Sequence, residues 1–451
     1  TDGTPSSSLD LWLRSDSGPE TASGAAPGNG DRVEAWRDES GKGNDLTAPS
    51  SGERPFFRSA SGGSVDFEGD SYYNGSYYLT GDAIITGTTA RTFFTVIQPS
   101  SVSDGGPNKA AFALAPNNDT IAAGYGLFIE EPGSNTGLGL RVEGNKLMDY
   151  TADGFSNADL TDSPALIAGG GPASATLNDT DFFFNGTLLR TVATSKDEGV
   201  TLNTNSGGVA LGGYDTDGSF ENGFNTNYDF NGDIYEVIVF STDLNDTRRI
   251  LVENYLAAKY DIALSGTDVY AGDTSANGDY DRGVFGIGQE SSTDQHTAAE
   301  TDGLRFEVAS GLDDDDYLVA GHRVADNGIN TGDTFPSGVD ERMLRVWFVS
   351  ETDPGSDLRA NVTFDLSKAA LNTLAGDPSG YVLLQQSTPG NNSWNLLQNG
   401  ADAVSGDQIT FQGVDLTDRS AITLATSDPV ASPLSGTALT ITGTAGNEGS
   451  A

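Results

Sequence analysis

The chain has 451 residues, no cysteine and a formal net charge of -42, which comes from 65 acidic and 23 basic residues. Such a charge repels phosphate over the whole surface, so nucleic acid is excluded as an expected partner. Without cysteine the chain has neither disulfides nor thiolate metal sites, and no apolar run approaches the roughly 20 residues that span a bilayer. The length allows two or three domains with cores of their own.

The acidic residues have two interpretations. Asp outnumbers Glu by 47 to 18 and only six residues are Lys. This composition suits a strongly hydrated surface in high salt, where the Debye length is about 3 Å at 1 M. The other interpretation is a set of calcium sites, because Ca²⁺ takes oxygen ligands. The acids are spread along the chain and are not gathered in repeated loops. We therefore favour a salt-adapted, halophilic surface and keep calcium as the alternative.

Many short strand patterns occupy the first half of the chain. Leu9, Leu11 and Leu13 alternate with more polar residues, which is the period of a β-strand, and residues 91–98 form a core-strand pattern that ends at Pro99. Asn185 and Gly186 between two apolar runs predict a hairpin turn. Further short strands are predicted at 125–130, 137–142, 181–185, 187–192 and 209–211. This pattern favours an antiparallel β-sandwich.

Residues 230–264 are the stretch around which we expect the first domain to be built. Residues 234–240 are almost entirely apolar, so both faces of this strand are predicted to be buried in a sandwich. Asn245 can cap a following helix whose inward residues would include Leu251 and Leu256. One strand and one short helix therefore close the predicted domain at residue 264.

A polar passage rich in Gly and Asp, at 265–281, marks the predicted domain boundary. Strand patterns then recur at 284–287, 304–308, 317–320, 343–350, 362–366, 381–385, 408–411 and 421–425, which predicts a second all-β unit. Prolines after residue 428 indicate a linker. We expect domains at 1–264 and 265–428, followed at 429–451 by a linker and a strand-like tail.

The tail contains one strand pattern that belongs to neither predicted domain. Leu439, Thr440, Ile441 and Thr442 alternate between apolar and polar residues. A single strand is not stable in water. The tail is therefore expected to pack on its own chain or to add to an exposed sheet edge of a neighbouring copy.

Two sets of motifs resemble known domains. The first set comprises Leu11, Trp12, Leu13, Arg14, Val33, Trp36, Asp38, Ser40, Gly41, Asn44, Val65, Asp66, Phe67, Gly69 and the runs 230–240 and 252–260. The second comprises Asp281, Arg282, Gly286, Gly288, Tyr317, His322, Arg342, Trp347, Asp365 and Asp415.

The first set, within residues 9–264, resembles the concanavalin A-like, laminin-G-like lectin domain of bacterial surface proteins, and the second resembles the β module that often follows it. The resemblance implies an all-β chain: a concanavalin A-like antiparallel β-sandwich (jelly roll) with one short helix, then a second β-sandwich. It further implies a secreted or surface protein of adhesive or structural kind.

Catalytic groups are not expected. Related sandwiches include glycosidases with paired carboxylates on one strand face, and here Asp233 and Glu236 lie three residues apart. In a regular strand such residues face opposite ways, so we expect no shared cleft. His296 and His322 lack the serine elbow of a hydrolase and are expected to be structural. We therefore predict that the chain is not an enzyme.

Two oxygen-rich loops are candidates for calcium. The spacing of Asp215 and Asp217 is that of the first ligands in an EF-hand calcium loop, but the Glu that closes such a loop is missing. Taken singly, each loop is better explained as a hydrated turn, and calcium in one of them is the alternative. The second loop consists of Asp273, Asn277, Asp279 and Asp281.

Residues 72–78 are the candidate for sugar binding, because tyrosine rings offer stacking faces and hydroxyl tips. The alternative, which we slightly favour, is an edge strand whose alternate tyrosines pack on the sandwich. The candidate ligand residues are Tyr72, Tyr73, Asn74, Tyr77 and Tyr78.

These features predict a non-catalytic protein outside the cell or on its surface. We favour a structural subunit of a filament or surface layer, whose partners are copies of itself joined through the tail strand. The alternative is a glycan-binding adhesin with surface glycans as partners, and after it a polysaccharide hydrolase.

Overall fold

The structure, a computed structural model, consists of two compact units. One unit comprises Thr1–Tyr270 with Thr293–Gln295, and the other comprises Ala271–Ser292 with His296–Ala451. The predicted domain ends at residues 264 and 428 stay predictions. The described residues are 7–67, 77–100, 109–114, 125–130, 137–142, 146–149, 161–176, 179–189, 201–204, 206–213, 230–323, 328–352, 357–368, 371, 377–429 and 434.

Among its described residues the first unit has many strands and one α-helix with defined bounds, α1 (Asp246–Tyr260). A 3₁₀ turn lies at Ala60–Gly62. The strands are β1 (Leu9–Arg14), β2 (Pro19–Glu20), β3 (Ala35–Trp36), β4 (Leu46–Thr47), β5 (Phe56–Arg58), β6 (Ser64–Asp66), β7 (Leu79–Gly81), β8 (Arg91–Pro99), β9 (Lys109–Leu114), β10 (Tyr125–Glu130), β11 (Gly137–Val142), β12 (Lys146–Asp149), β13 (Ala165–Gly171), β14 (Asp181–Phe184), β15 (Thr187–Leu188), β16 (Val209–Leu211) and β17 (Gly232–Phe240).

These strands form two antiparallel sheets that enclose one core. The first sheet has the order β15-β14-β13-β8-β17-β6-β5, with β1 also paired to β17, and the second has the order β12-β11-β10-β9-β16-β7-β4-β3-β2. Side chains from both sheets meet between them, among them Phe93 and Val237 from the first and Phe112 and Leu211 from the second. The predicted antiparallel β-sandwich with one short helix is confirmed.

Local sequence signals explain how these elements begin and end. In β1 the burial alternates along the strand, with Leu9, Leu11 and Leu13 inside. Asn185 and Gly186 have positive φ values of 46 and 81 and join β14 to β15, so the predicted hairpin is confirmed.

Helix α1 covers the outer face of the first sheet. The Asn245 side chain accepts a hydrogen bond from the backbone N–H of Arg248, as the sequence predicts, and the helix ends at Asp261 in the left-handed region. Its Leu256 and Tyr260 pack against Phe94, Val96, Tyr235 and Ile238 of the sheet. The helix is 15 residues long. In the part of the chain that the structure describes, no helix is long and apolar enough to cross a membrane.

The second unit is a second β-sandwich. A 3₁₀ turn lies at Pro378–Gly380. The remaining strands are β18 (Arg282–Ser291), β19 (Asp294–His296), β20 (Ala298–Thr301), β21 (Leu304–Ser310), β22 (Asp316–His322), β23 (Ile329–Asn330), β24 (Glu341–Met343), β25 (Trp347–Glu351), β26 (Arg359–Asp365), β27 (Tyr381–Gln386), β28 (Asn395–Asn399), β29 (Ala403–Ser405), β30 (Gln408–Val414) and β31 (Ser420–Thr426).

The larger sheet of this unit has the order β18-β22-β25-β31-β24-β23, and on the other side of β31 it continues through β27 to β28. The smaller sheet has the order β20-β21-β26-β30-β29. Trp347, Phe364 and Phe411 belong to the core between the sheets, and Leu434 is fully buried in the same core. A smaller apolar cluster around Leu384 and Trp394 lies on the other face of β27. The predicted second all-β unit is therefore confirmed.

Candidate functional site

The most elaborate polar cluster of the first unit surrounds the Glu236 carboxylate. Glu236 is fully buried and accepts hydrogen bonds from Trp12 Nε1 at 2.7 Å, Tyr255 OH at 2.9 Å, Lys259 Nζ at 2.7 Å and Tyr260 OH at 2.7 Å. The donors come from β1 and α1. Four donors satisfy a buried carboxylate that would otherwise be costly to remove from water, so this cluster fastens the helix to the sheet.

A β-bulge at Tyr235 puts Asp233 and Glu236 on the same face of β17. The register with β8 shifts between Ile234 and Glu236, and Ile234 and Val237 both point into the core although they are three residues apart. Their neighbours Asp233 and Glu236 therefore both face the helix side, because a bulge adds one residue to the alternation. The expectation that these two acids face opposite ways is wrong.

The shared face does not make Asp233 and Glu236 a pair of catalytic acids. Glu236 is saturated by its donors, and Asp233 accepts a hydrogen bond from Ser64 Oγ at 2.6 Å. Burial, together with the Glu236 carboxylate, raises the pKa of Tyr255 and of Tyr260 well above the ordinary value of 10.0. Both phenols thus stay protonated donors at neutral pH, as a structural network requires.

Asp38, another residue of the lectin-like motifs, organises a loop. Its Oδ1 accepts from the backbone N–H groups of Trp12 and Ser40, and its Oδ2 accepts from Ser40 Oγ and the backbone N–H of Asn44. The Asn44 side chain in turn donates to the carbonyl of Asp10. The motif residues of β1 and this loop are therefore explained by folding and leave no ligand group free in this cluster.

Only the end of the predicted sugar-binding loop is described. Tyr72, Tyr73 and Asn74 lie outside the described residues, and for them sugar binding stays a prediction. Tyr77 and Tyr78 are 9% and 2% exposed, and the Tyr77 ring packs edge-on against Phe56 at 5.6 Å. These two rings are buried and present no open stacking face, and the alternative of an edge strand over residues 72–78 stays a prediction.

Tyr77 contacts Arg32, a residue that the sequence did not identify as a candidate site residue. The Arg32 guanidinium carbon lies 3.7 Å from the centre of the Phe56 ring and 4.5 Å from that of Tyr77. Its Nη2 donates to Tyr77 OH at 3.2 Å and its Nη1 donates to the carbonyl of Arg54. No signal in the sequence joins positions 32, 56 and 77, since only the fold brings them together.

The calcium candidates are not gathered into a metal site in the described structure. Asp215 and Asp217 fall outside the described residues. Within the described ranges, no group of three or more His, Asp or Glu side chains is arranged to hold a metal ion, and Asn277 Nδ2 donates to the carbonyl of Ala271 at 2.6 Å. Calcium binding by Asp273, Asn277, Asp279 and Asp281 stays a prediction.

The two imidazoles lie in different strands. His296 ends β19, whereas His322 is buried at the end of β22 with its Nε2 2.9 Å from Asp302 Oδ2.

The outer edge of the larger sheet in the second unit has an unusual surface. Among the described strands β28 pairs with β27 alone, and Leu396 on β28 is 44% exposed. A bulge at Leu397 separates the pairs Leu384–Leu396 and Leu383–Gln398. Ile329, 37% exposed on β23, is the other large hydrophobic side chain exposed in the described part of the chain.

This edge lies in the longest stretch of the sequence without a charged residue. Residues 378–401 contain no Asp, Glu, Lys or Arg, and the next longest such stretch is 429–447, which contains the predicted tail strand. Natural edge strands are usually protected by charged side chains, above all Lys. The two uncharged stretches are visible in the sequence, but only the structure identifies the first as a sheet edge.

Comparison with known proteins gives limited matches. Residues 248–420, less than half of the chain, match a family described as a domain of unknown function (DUF8202). No curated protein matches the sequence.

Three solved structures illustrate what the fold is similar to. Domain 4 of AbnA, a GH43 extracellular arabinanase from Geobacillus stearothermophilus in complex with arabinotriose, is 12% identical, with a TM-score of 0.32 over 52% of this chain and 92% of that one. The Ruminococcus gnavus sialidase CBM40 bound to sialyllactose is 17% identical, with a TM-score of 0.27 over 37% and 83%. The exoplasmic domain of VIP36 in its Ca²⁺- and Man2-bound form is 11% identical, with a TM-score of 0.27 over 54% and 93%. All three TM-scores are below 0.5, so these similarities support no inference about the function of this chain.

Proposed function

We propose that this chain is a non-catalytic extracellular structural subunit of a filament or surface layer. In this proposal the segment 437–443 of one copy adds as a strand to β28 of the next copy. The observation that supports it is the β28 edge, which is uncharged and carries the exposed Leu396. Strand addition gains main-chain hydrogen bonds and buries alternate side chains of the added strand.

Electrostatics favours contact between these two segments. A chain with a net charge of -42 repels its own copies, and the repulsion is smallest where both surfaces lack charge. Residues 378–401 and 429–447 are the two longest stretches with this property. Pairing them brings no acidic side chain of either stretch against another.

The side chains of the two segments are also complementary. Leu396 pairs with Leu384, and both lie on the face of the sheet that carries Trp394. In an alternating strand Leu439 and Ile441 share one face, with Thr440 and Thr442 on the other. A strand beside β28 would place one of the two aliphatic residues next to Leu396, and such cross-strand pairs contribute to sheet stability.

The test is removal of the donor strand. Leu434 is fully buried in the core of the second unit, so the truncation should remove only residues 437–451. We expect the shortened chain to keep the far-ultraviolet circular dichroism and thermal midpoint of the full chain but to stay monomeric in sedimentation. The full chain should form larger species. Unchanged assembly of the shortened chain would contradict the proposal.

Two double variants test whether assembly requires burial of the apolar side chains of the tail or only the presence of the tail. Leu439→Asp with Ile441→Asp places charge on the apolar face of the predicted strand, whereas Thr440→Asp with Thr442→Asp places the same charge on the other face. We expect the first pair to weaken assembly more than the second. Equal effects would indicate that the tail does not insert as an alternating strand.

Glycan binding is the second candidate function, and it is favoured by Arg32, which contacts Tyr77 at the end of the sugar-binding candidate 72–78. The full chain can be tested on a glycan array, where silence across all sugars would count against this function. A polysaccharide hydrolase receives no support from Glu236, and Asp233→Asn should remove no activity from the chain.

Calcium is a further proposal that a simple measurement decides. If one of the oxygen-rich loops holds Ca²⁺, the metal stabilises the folded state by mass action. Adding calcium after treatment with a chelator should then raise the thermal midpoint, with magnesium as the control. An unchanged midpoint would remove calcium from the account.

A further inference from the structure

We propose that Arg32 is the centre of a binding site for the single carboxylate of an acidic sugar, such as a terminal uronic acid. The site goes beyond the proposed assembly and gives the alternative function, glycan binding, a chemical class of ligand. It lies in the first unit, at the base of the predicted tyrosine loop, and it involves no residue of β28 or of the tail.

The guanidinium of Arg32 is held in place before any ligand arrives. It lies beside the rings of Phe56 and Tyr77, at 3.7 Å and 4.5 Å from their centres. Two of its five N–H groups donate to Tyr77 OH and to the carbonyl of Arg54. The other N–H groups have no acceptor among the described residues and can bind a ligand. A side chain fixed in this way loses little conformational freedom on binding.

Arg32 also lacks the carboxylate partner that several other arginines of its unit have. Within 4.0 Å, Arg37 contacts Glu20 and Asp45, Arg58 contacts Asp66, and Arg54 contacts Glu34. For Arg32 no carboxylate contact exists among the described residues, although the chain has 65 acids for 23 bases. A planar guanidinium matches a carboxylate with two parallel hydrogen bonds, so the missing partner can be supplied by a ligand.

The net charge limits the ligand to one carboxylate. A polyanion would meet the repulsion of a chain with charge -42 over its whole length, whereas a single acidic group near Arg32 meets it only locally. The second arginine beside Phe56, Arg58 at 5.5 Å from the ring, is already paired with Asp66. Tyr77 OH accepts from Arg32 and can donate its own hydrogen to a sugar hydroxyl.

The experiment is calorimetric titration of the full chain with methyl β-D-glucuronide, with methyl β-D-glucoside as the neutral sugar. We expect saturable binding of the glucuronide and none of the glucoside. Arg32→Gln should weaken glucuronide binding by about tenfold or more, because charge-assisted hydrogen bonds are lost. Arg37→Gln, a change of the same kind at an exposed and already paired arginine, should leave it unchanged.

Additional variants and ligands in the same titration distinguish the reasons for which glucuronide binding could be absent. Arg32→Lys keeps the charge but not the two parallel hydrogen bonds, so we expect intermediate affinity. This variant also serves if Arg32→Gln fails to fold. Equal binding by wild type and both Arg32 variants, equal binding of the neutral sugar, or stronger binding of a glutamate-containing peptide would each overturn the proposal. The chain without residues 437–451 should bind the glucuronide normally, so loss of assembly and loss of sugar binding can be told apart.

Discussion

The strands β17 and β28 differ in their charged residues: β17 has a buried acid, and β28 has no charged residue at its exposed edge. β17 is a central strand with both faces covered, and its buried acid Glu236 is satisfied by four donors. β28 is an edge strand without a charged residue, and its Leu396 is 44% exposed. In this acidic chain, the buried charge of Glu236 on β17 holds helix α1 on the sheet. The edge strand β28, to which another strand could add, has no charged residue. This difference is the reason why we propose the β28 edge as a contact surface.

The largest effect is expected from breaking the network on β17. Glu236→Ala leaves Lys259 without its buried partner and removes the acceptor of Tyr255, Tyr260 and Trp12. Breaking a buried ion pair in this way lowers the free energy of unfolding by about 3–5 kcal/mol, measured by urea denaturation. Glu39→Ala, which breaks a surface pair with Arg14, should lower it by less than about 1 kcal/mol. Similar losses in the two variants would contradict the structural role of Glu236.

A charge on the β28 edge should abolish assembly without loss of stability. Leu396→Lys places a lysine where natural edge strands carry one. We expect it to prevent assembly in sedimentation while changing the free energy of unfolding by no more than about 0.5 kcal/mol, as for an exposed position. Ile329→Lys is the matched control, because Ile329 is exposed on the edge strand β23 of the same sheet. If both variants lose assembly equally, β28 is not the specific acceptor.

Salt should strengthen assembly. Raising the NaCl concentration from about 0.1 M to about 1 M shortens the Debye length from about 10 Å to about 3 Å, which screens the repulsion between acidic copies but leaves an uncharged contact intact. Sedimentation at the two concentrations measures the change. Weaker assembly at high salt would mean that ion pairs, and not backbone pairing, hold the copies together.

The smallest effect concerns alkaline pH. The pKa of Tyr255 and of Tyr260 is raised above 10.0 in the folded chain, so both phenols keep protons that the unfolded chain loses above that pH. The free energy of unfolding therefore falls as pH rises past 10. Urea unfolding one unit below and one unit above pH 10 should show a smaller fall for Tyr260→Phe than for the wild type. An identical fall would show that these phenols are not linked to folding.

Local signals predicted much of the fold. Alternation in β1, the Asn185–Gly186 turn and the Asn245 cap each depend on residues close in sequence, and the structure confirms all three. The bulge at Tyr235 escaped prediction because it depends on register against β8, which is a property of two distant segments.

The candidate sites were harder to predict for the same reason. Arg32 and Tyr77 are far apart in sequence and meet only in the folded unit. The uncharged stretch 378–401 is evident in the composition, but nothing in it distinguishes an open edge from a buried strand. Sugar binding by residues 72–78 was predicted from the residue types, but Tyr77 and Tyr78 at the described end of this segment are buried.

The absence of cysteine from the chain allows the most direct test of strand addition. One preparation carries Leu396→Cys and a second carries Ile441→Cys, and the two are mixed under mild oxidation. We predict disulfide-linked dimers that contain one chain of each kind, and none when Gln412→Cys on β30 replaces Leu396→Cys. If the mixture gives no dimers, while a single chain with both cysteines closes on itself, the tail pairs with its own body and the proposed assembly is contradicted.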